Sequence, residues 1–463
     1  MASQRYDRQL RLWQESGQEN LINARILCLG SNTLASETLK SLVLAGIGHV
    51  TIVDDVIADE SNSSTNFFVN SSSYGQRRAK IISELLKQLN PSVDIVYEIK
   101  SPNNYNMHYN WSLVISCVQP NQDLVRSAFG CCPFIQLISK GFYSSVYISI
   151  KEHTVVETHQ SSTPDLRLDK PWPELLAYIR SIDLKALDPM DHAHVPYVVL
   201  LIIFLDQYKA ASLNDPSSDQ KSRFKNLIRA SAPSTVVDTE NYEQASHYSY
   251  LAFAPTEIPS AVESILSESA TMPISSLTPK FWILAKALSV FADKHGVLPL
   301  SGVLPDMKAD SQQYIALQNI YKAKADQDIA EFKIILNSVL EDISSGSPPS
   351  ITPTEIESFC KNARFLTVLR QESPTDFTKP PDTFNNDAER IFWTLIDPSP
   401  GLGDNDPEMS KLLQVTASPE QHNVSAFAAG VASQEATKIL TRHYIPHIGA
   451  LVYDGVHGTL YTP

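Results

Sequence analysis

A turn that cradles phosphate needs glycine wherever backbone N–H groups must approach the ligand, and residues 30–35, G-S-N-T-L-A, offer half of one. Gly30 stands at the first glycine position and Ala35 supplies a small residue at the last. Asn32 takes the place of the second glycine, whose missing side chain would admit a pyrophosphate. Asp54 and Asp55 close the next apolar run, and either could hold a ribose hydroxyl. Other groupings carry less chemistry. Asp191, His192 and His194 have the types of a metal site, yet Pro196 opens an apolar helix directly after them, and acids and histidines are ordinary in such a turn. Cys131 and Cys132 are adjacent and cannot both project onto one metal, while His153 and His159 lack a third ligand. Cys360, in S-F-C-K-N-A, has no histidine or helix N-terminus beside it to lower its pKa, so it reads as a structural thiol.

The elements that must position the turn are plain. Residues 26–29 and 50–53 are apolar runs, Leu34, Leu39, Leu42 and Val43 recur at helical spacing between them, and Gly46 and Gly48 punctuate the return. This is a βαβ unit ending on an acid, the Rossmann arrangement with its phosphate cradle spoiled. The 463 residues, 43% apolar, suffice for about three domain-sized pieces. With 37 Lys and Arg against 51 Asp and Glu, the net charge of −14 repels phosphate, so neither nucleic acid nor an anionic membrane is an expected partner. The apolar run at 198–205 is far short of the ~20 residues of a membrane span, and the N-terminus has no signal-peptide core. Five cysteines without C-x-x-C spacing indicate neither a zinc ribbon nor a disulfide scaffold, and imply a reducing compartment, cytoplasm or nucleus.

Residues 5–13, RYDRQLRLW, set three arginines beside Leu10, Leu12 and Trp13, an amphipathic arm. Followed by G-Q-E-x-L, the arm resembles the opening of the ubiquitin-activating-type adenylating enzymes and their bacterial molybdopterin- and thiamine-pathway relatives. The resemblance implies that Arg8, the second arginine of R-Y-x-R-Q, crosses a pseudo-symmetric dimer interface to the ATP phosphates held by the other protomer. A guanidinium suits that task because its planar fork stays charged and holds two oxygens at once. Leu12 and Trp13 would then lie towards the partner. Around its own pocket the chain departs from the family pattern: Asn66 or a neighbour replaces the arginine of an R-Q-F-L-F segment, Gln76 replaces the V-G-K lysine, and Gln119 and Pro120 stand where an Asp-Asn pair meets nucleotide and metal. By this comparison the chain resembles the inactive half of an asymmetric pair.

Further strings narrow the resemblance. K-E-H-x-V-x-E-x-H from Lys151, D-L-R-L-D-K-P-x-P-E-L from Asp165, D-H-x-H-x-P from Asp191, F-W-I-L-A-x-A-L from Phe281 and L-P-x-x-G-x-x-P-D-M-x-A-D from Leu298 occur in the order found in regulatory subunits of neddylation (Rub) activating enzymes. The sister subunit of the SUMO-activating enzyme shares the arm but lacks these strings. The resemblance implies that residues 46–63, with Gly46, Ile47, Asp54 and Asp55, and the loop carrying Pro305, Asp306, Met307 and Asp310 face a catalytic subunit. On its own residues that proline-punctuated loop reads as a helix connector or as a pre-shaped contact surface with Leu304 and Met307 exposed, and Asp310 or Ser311 as the N-cap of a long helix.

The expected fold class is α/β: a Rossmann-like adenylation fold of the ubiquitin-activating family with a large, mostly helical insertion. Residues 1–160 would form its first part, 161–412 the insertion equivalent to a catalytic-cysteine half-domain, and 413–463 its final helix and strands. The function implied is that of a regulatory subunit in a heterodimeric activating enzyme for a Nedd/Rub-type ubiquitin-like modifier. Its catalytic partner would bind ATP and magnesium, adenylate the modifier and take it as a thioester, while this chain holds no cofactor and lends Arg8. The alternatives are the SUMO-activating counterpart, a self-sufficient adenylating homodimer and a pure interaction scaffold.

Overall fold

The computed structural model of the chain describes residues 5–107, 111–158, 164–212, 220–233, 238–343, 346–381, 383–397 and 407–463. Helix α1 (Asp7–Asn23) breaks at Trp13 and Gln14, the latter at φ 58°. Next come β1 (Arg25–Leu29), α2 (Thr33–Ala45), β2 (His49–Val53), α3 (Arg78–Leu89), β3 (Asp94–Glu98), β4 (Leu113–Ser116), α4 (Gln122–Phe129), β5 (Phe134–Lys140), β6 (Tyr143–Ser149) and β7 (Glu152–Val156). Strand β1 is buried from Ile26 onwards because it is central, pairing in parallel with β2 and β4 at once, so that Cys28 lies level with both Ile52 and Ile115. Helix α2 starts where the Asn32 side chain accepts the Ala35 N–H at 3.0 Å, and stops at Gly46, whose φ of +88° suits glycine.

The chain divides into two compact units, residues 160–366 and the remainder. The inserted unit is helical: α5 (Pro173–Arg180), α6 (Tyr197–Ser212), α7 (Gln220–Ala230), α8 (Glu240–His247), α9 (Ser260–Thr271), α10 (Lys280–His295), α11 (Ser311–Glu341) and α12 (Pro353–Lys361). Its core gathers on α6, whose residues 197–202 are all buried, and includes Trp172 set edge-on to Tyr321 at 4.9 Å.

Strand β8 (Leu366–Arg370) pairs with β7, and helices α13 (Asp387–Ile396), α14 (Pro407–Thr416) and α15 (His422–Thr441) lead to β9 (Gly449–Asp454) and β10 (Thr459–Tyr461). The main sheet has the order β10-β9-β6-β5-β4-β1-β2-β3. Its first five strands by sequence pair in parallel, and β6, β9 and β10 add an antiparallel extension. The insertion closes at Leu366, well before the residue 412 expected from sequence. The cause is apolar: Phe377, Ile391, Phe392, Leu395 and Ile396 share one buried cluster with Leu27, Val114, Phe134 and Tyr147 of the sheet. Among the described residues no helix is long and apolar enough to cross a membrane.

Candidate functional site

The turn after β1 leads directly into the N-terminus of α2. Gly30 has φ +98°, its N–H donates to the Val53 carbonyl at 2.9 Å, and a Cβ there would lie 3.1 Å from Val118 Cγ1. Asn32 caps α2 with its oxygen and donates its amide nitrogen to the Cys117 carbonyl at 3.3 Å. The first-turn N–H groups of a helix attract anions. Here an anion already sits there: the Leu34 N–H donates to Glu420 Oε1 at 2.8 Å, and the Ser425 hydroxyl donates to the same oxygen at 2.9 Å. Burial pushes the Glu420 carboxyl up from its ordinary pKa, against the opposing pull of Ser425, the Leu34 and Thr33 amides and the Arg78 charge.

The acid at the end of β2 is engaged as well. Asp54, 2% exposed, accepts from Arg78 Nη2 at 3.0 Å, from the Ser31 hydroxyl and from the Val56 N–H at 3.2 Å, while Arg78 Nε donates to Ser31 Oγ at 3.0 Å. Asp55 is exposed, and its carbonyl accepts from Arg77. Asn66 is buried, donating to Ser36 Oγ at 3.0 Å and accepting the Phe68 N–H. Gln76 is exposed, and Gln119 donates to the Ile396 carbonyl. A carboxylate thus lies at the first turn of α2, and Asp54 is committed to Arg78.

On the arm, Tyr6 is buried, its hydroxyl accepts from Asn90 Nδ2 at 2.9 Å, and its ring covers Gly46 so closely that a Cβ there would fall 2.5 Å from Tyr6 Cζ. Arg5 donates to Asn90 Oδ1 and to the Leu89 carbonyl at 3.2 Å, and Arg11 pairs with Asp7 at 3.0 Å. Arg8 is exposed in the first turn of α1 and has no hydrogen bond or ion pair among the described residues. Among the described residues it alone of the three arginines in the arm has no hydrogen bond or ion pair.

The residues expected towards a partner separate into two groups. Leu12 is 49% exposed, Asp55 and Asp306 are exposed, and Pro305 and Asp310 are partly so. Trp13, Gly46, Ile47, Asp54 and Met307 lie inside the chain's own fold. Trp13 turns inward at the kink, donating Nε1 to Gln18 Oε1 at 3.0 Å and packing on Gly17. Leu304 and Met307, expected to be exposed, are each only 8% so, because their loop is strapped down. Leu300 N–H donates to Asp328 at 2.9 Å, Lys308 pairs with Asp238 at 2.8 Å and Glu240 at 3.1 Å, and Gly302, at φ +70°, lets the backbone approach Ala325. Asp310 is the cap of α11, accepting the Gln312 and Gln313 amides.

The remaining sequence candidates do not converge. His192 is buried against the Tyr242 ring at 5.6 Å, whereas His194 donates through Nδ1 to the Met190 carbonyl at 2.7 Å. His153 is buried on β7, and His159 lies outside the described residues. Cys131 is exposed, and burial raises the Cys132 thiol to about 12. Cys360 is buried, and burial first, then the Asp328 charge, drives its thiol upward, away from nucleophilic use. Among the described residues no three His, Cys, Asp or Glu side chains could hold a metal together. Sequence reasoning missed Glu420 and the inward turn of Arg78. Glu420 is 386 residues from Leu34, and no local pattern in S-P-E-Q-H marks it.

Residues 6–121 match the ThiF family. The NEDD8-activating enzyme E1 regulatory subunit AXL of Arabidopsis thaliana is 32% identical over 512 residues, covering 98% of this chain and 97% of the relative. The NEDD8-activating enzyme E1 regulatory subunit of Danio rerio is 32% identical, with the same coverage of both chains, and that of Saccharomyces cerevisiae is 28% identical over 98% of each. Among solved structures, the Escherichia coli tRNA N6-threonylcarbamoyladenosine dehydratase TcdA aligns with 31% of this chain and 65% of its own at 18% identity and a TM-score of 0.28. The sheet order carries the fold assignment without it.

Proposed function

This chain belongs to the family of NEDD8-activating enzyme E1 regulatory subunits, and we propose on that premise that it is the non-catalytic half of a heterodimer whose partner performs the chemistry. The catalytic subunit holds ATP and magnesium, adenylates the C-terminal glycine of a Nedd/Rub-type modifier and then takes the modifier as a thioester. This chain binds neither ATP nor metal: its turn is filled by Glu420 and its acid by Arg78. Its contribution is Arg8, extended in trans to the partner's phosphates. One observation carries the reading: Arg8 is exposed and unengaged among the described residues, while Arg5 is bonded to Asn90 and Leu89 and Arg11 pairs with Asp7 on the arm's own surface. Leu12, one turn further along and exposed, extends the same surface. A self-sufficient homodimer would need the turn that Glu420 occupies. The five free thiols suit the cytoplasm and nucleus, where we place the enzyme.

Cationic charge preorganised where negative charge develops can contribute ~3 kcal/mol to a rate. Arg8→Ala is therefore expected to leave the heterodimer intact and to slow adenylation, followed as ATP–pyrophosphate exchange on the purified pair, about 100-fold. An unchanged exchange rate removes Arg8 from the mechanism. A catalytic subunit equally active without this chain makes it a scaffold.

A further inference from the structure

We propose that the turn at α2 has kept its power to bind an anion and that Glu420 is its permanent, built-in ligand, a carboxylate held where a nucleotide phosphate would otherwise lie. The inference rests on the reading that this chain holds no ATP, and it supplies a mechanism for the exclusion.

Three observations meet at one place. Gly30 keeps the positive φ, +98°, that swings the chain from β1 into the helix. Helix α2 runs for 13 residues, long enough to present a positive N-terminal end. The Leu34 amide of that end is satisfied by a carboxylate oxygen at 2.8 Å, with Ser425 donating to the same oxygen. Leu34 and Ser425 are not neighbours in sequence, so the carboxylate is held from two separate elements, as a bound anion is.

Charge bookkeeping makes the exclusion electrostatic as well as steric. Asp54 and Arg78 cancel as a pair at 3.0 Å, which leaves Glu420 as the net negative group facing the helix end. A phosphate entering the turn would meet a like charge in a partly buried site and would find the Leu34 donor taken. Without the carboxylate, the turn presents the Thr33 and Leu34 N–H groups and the Ser425 hydroxyl to the next anion available. The contact also ties the segment entering α15 to the N-terminal βαβ unit, so exclusion and closure of the domain are one device.

The test uses the full-length chain, free of its partner, and inorganic pyrophosphate as the probe, titrated calorimetrically into wild type, Glu420→Ala and Glu420→Gln. Circular dichroism and a melting curve establish that each variant is folded. The expected result is binding at least about tenfold tighter in Glu420→Ala than in wild type, the scale of one like charge removed from a helix end. Glu420→Gln keeps the shape and hydrogen bonds but loses the charge, and is expected to fall between them. If Glu420→Ala does not fold, the comparison of Glu420→Gln with wild type decides. Folded variants that bind pyrophosphate no better than wild type overturn the proposal. That result would leave the Arg8 exchange rate on the heterodimer untouched, so the two readings fail separately.

Discussion

Arg78 and Asp54 meet at 3.0 Å with 9% and 2% of their side chains exposed, which makes each the condition for the other's burial. Removing one partner of such a pair leaves an uncompensated charge in a low-dielectric site, at a cost of about 3–5 kcal/mol. Arg78→Leu should therefore lower stability to chemical denaturation by that order. Arg78→Leu combined with Asp54→Leu should recover most of the loss, and a double variant no more stable than the single one would contradict the pairing. His153 sets a second residue-scale expectation. Burial first, then the Arg442 charge, lowers its pKa from 6.5 to about 3, and its Nε2 has no hydrogen-bond partner among the described residues. The unfolded chain thus binds a proton between about pH 6.5 and 3 that the folded chain refuses, so this contribution to stability is full above 6.5 and declines as the pH falls through that window. Going from pH 7 to pH 5 should cost about 2 kcal/mol through this residue. Denaturation of His153→Leu at the two pH values should show a difference smaller by that amount, and an unaltered difference would mean that His153 is not buried neutral.

At the scale of elements, what could be read in advance was periodic. Helix α6 follows Pro196 as its apolar run requires, the Asp310 cap is at the start of α11, and β1-α2-β2 is the βαβ unit read from the apolar runs at residues 26–29 and 50–53. What could not be read was set by contacts distant in sequence. The apolar and arginine pattern of residues 5–13 gives no sign of a kink at Trp13, because the kink is stabilised by Gln18 and Gly17 and by the turn inward. The proline-rich loop looked exposed because its straps come from Asp238, Glu240 and Asp328. The arm's seat is likewise a packing fact: Tyr6 lies on Gly46, which ends α2 in the left-handed region. Gly46→Ala adds backbone strain of about 1 kcal/mol and drives a methyl into the Tyr6 ring. The arm should loosen, so trypsin should cut at Arg5 and Arg8 faster than in wild type. Adenylation by the heterodimer should slow although Arg8 is intact. Unchanged proteolysis together with an unchanged rate would mean that the arm does not depend on that contact.

Across the whole molecule, a sequence can announce an insertion by a change from strand–helix alternation to helices, but it cannot say where the host domain resumes. Residues 367–412 carry an apolar helix that suits either unit by pattern, and only the open face of β4, β5 and β6 decides that Ile391, Phe392 and Leu395 belong to the sheet. Each unit has buried clusters of its own among the described residues. Buried clusters built on Ile26, Leu39 and Ala432 and on Leu27, Phe134 and Phe392 lie wholly in residues 1–159 and 367–463, and a third, built on Leu200 and Tyr321, lies wholly in 160–366. The departure and return points are side by side, since Gln371 N–H donates to the Lys151 carbonyl at 3.2 Å and Arg370 pairs with Glu152 at 3.0 Å. Closing the gap with a short linker therefore costs little loop entropy, because that cost grows only with the logarithm of loop length. Replacing residues 160–366 with a short Gly-Ser linker should leave the sheet unit folded, with one cooperative thermal transition and native near-ultraviolet dichroism. If the shortened chain instead binds hydrophobic dye and melts without cooperativity, the sheet unit depends on the insertion and the division into two self-sufficient cores is wrong.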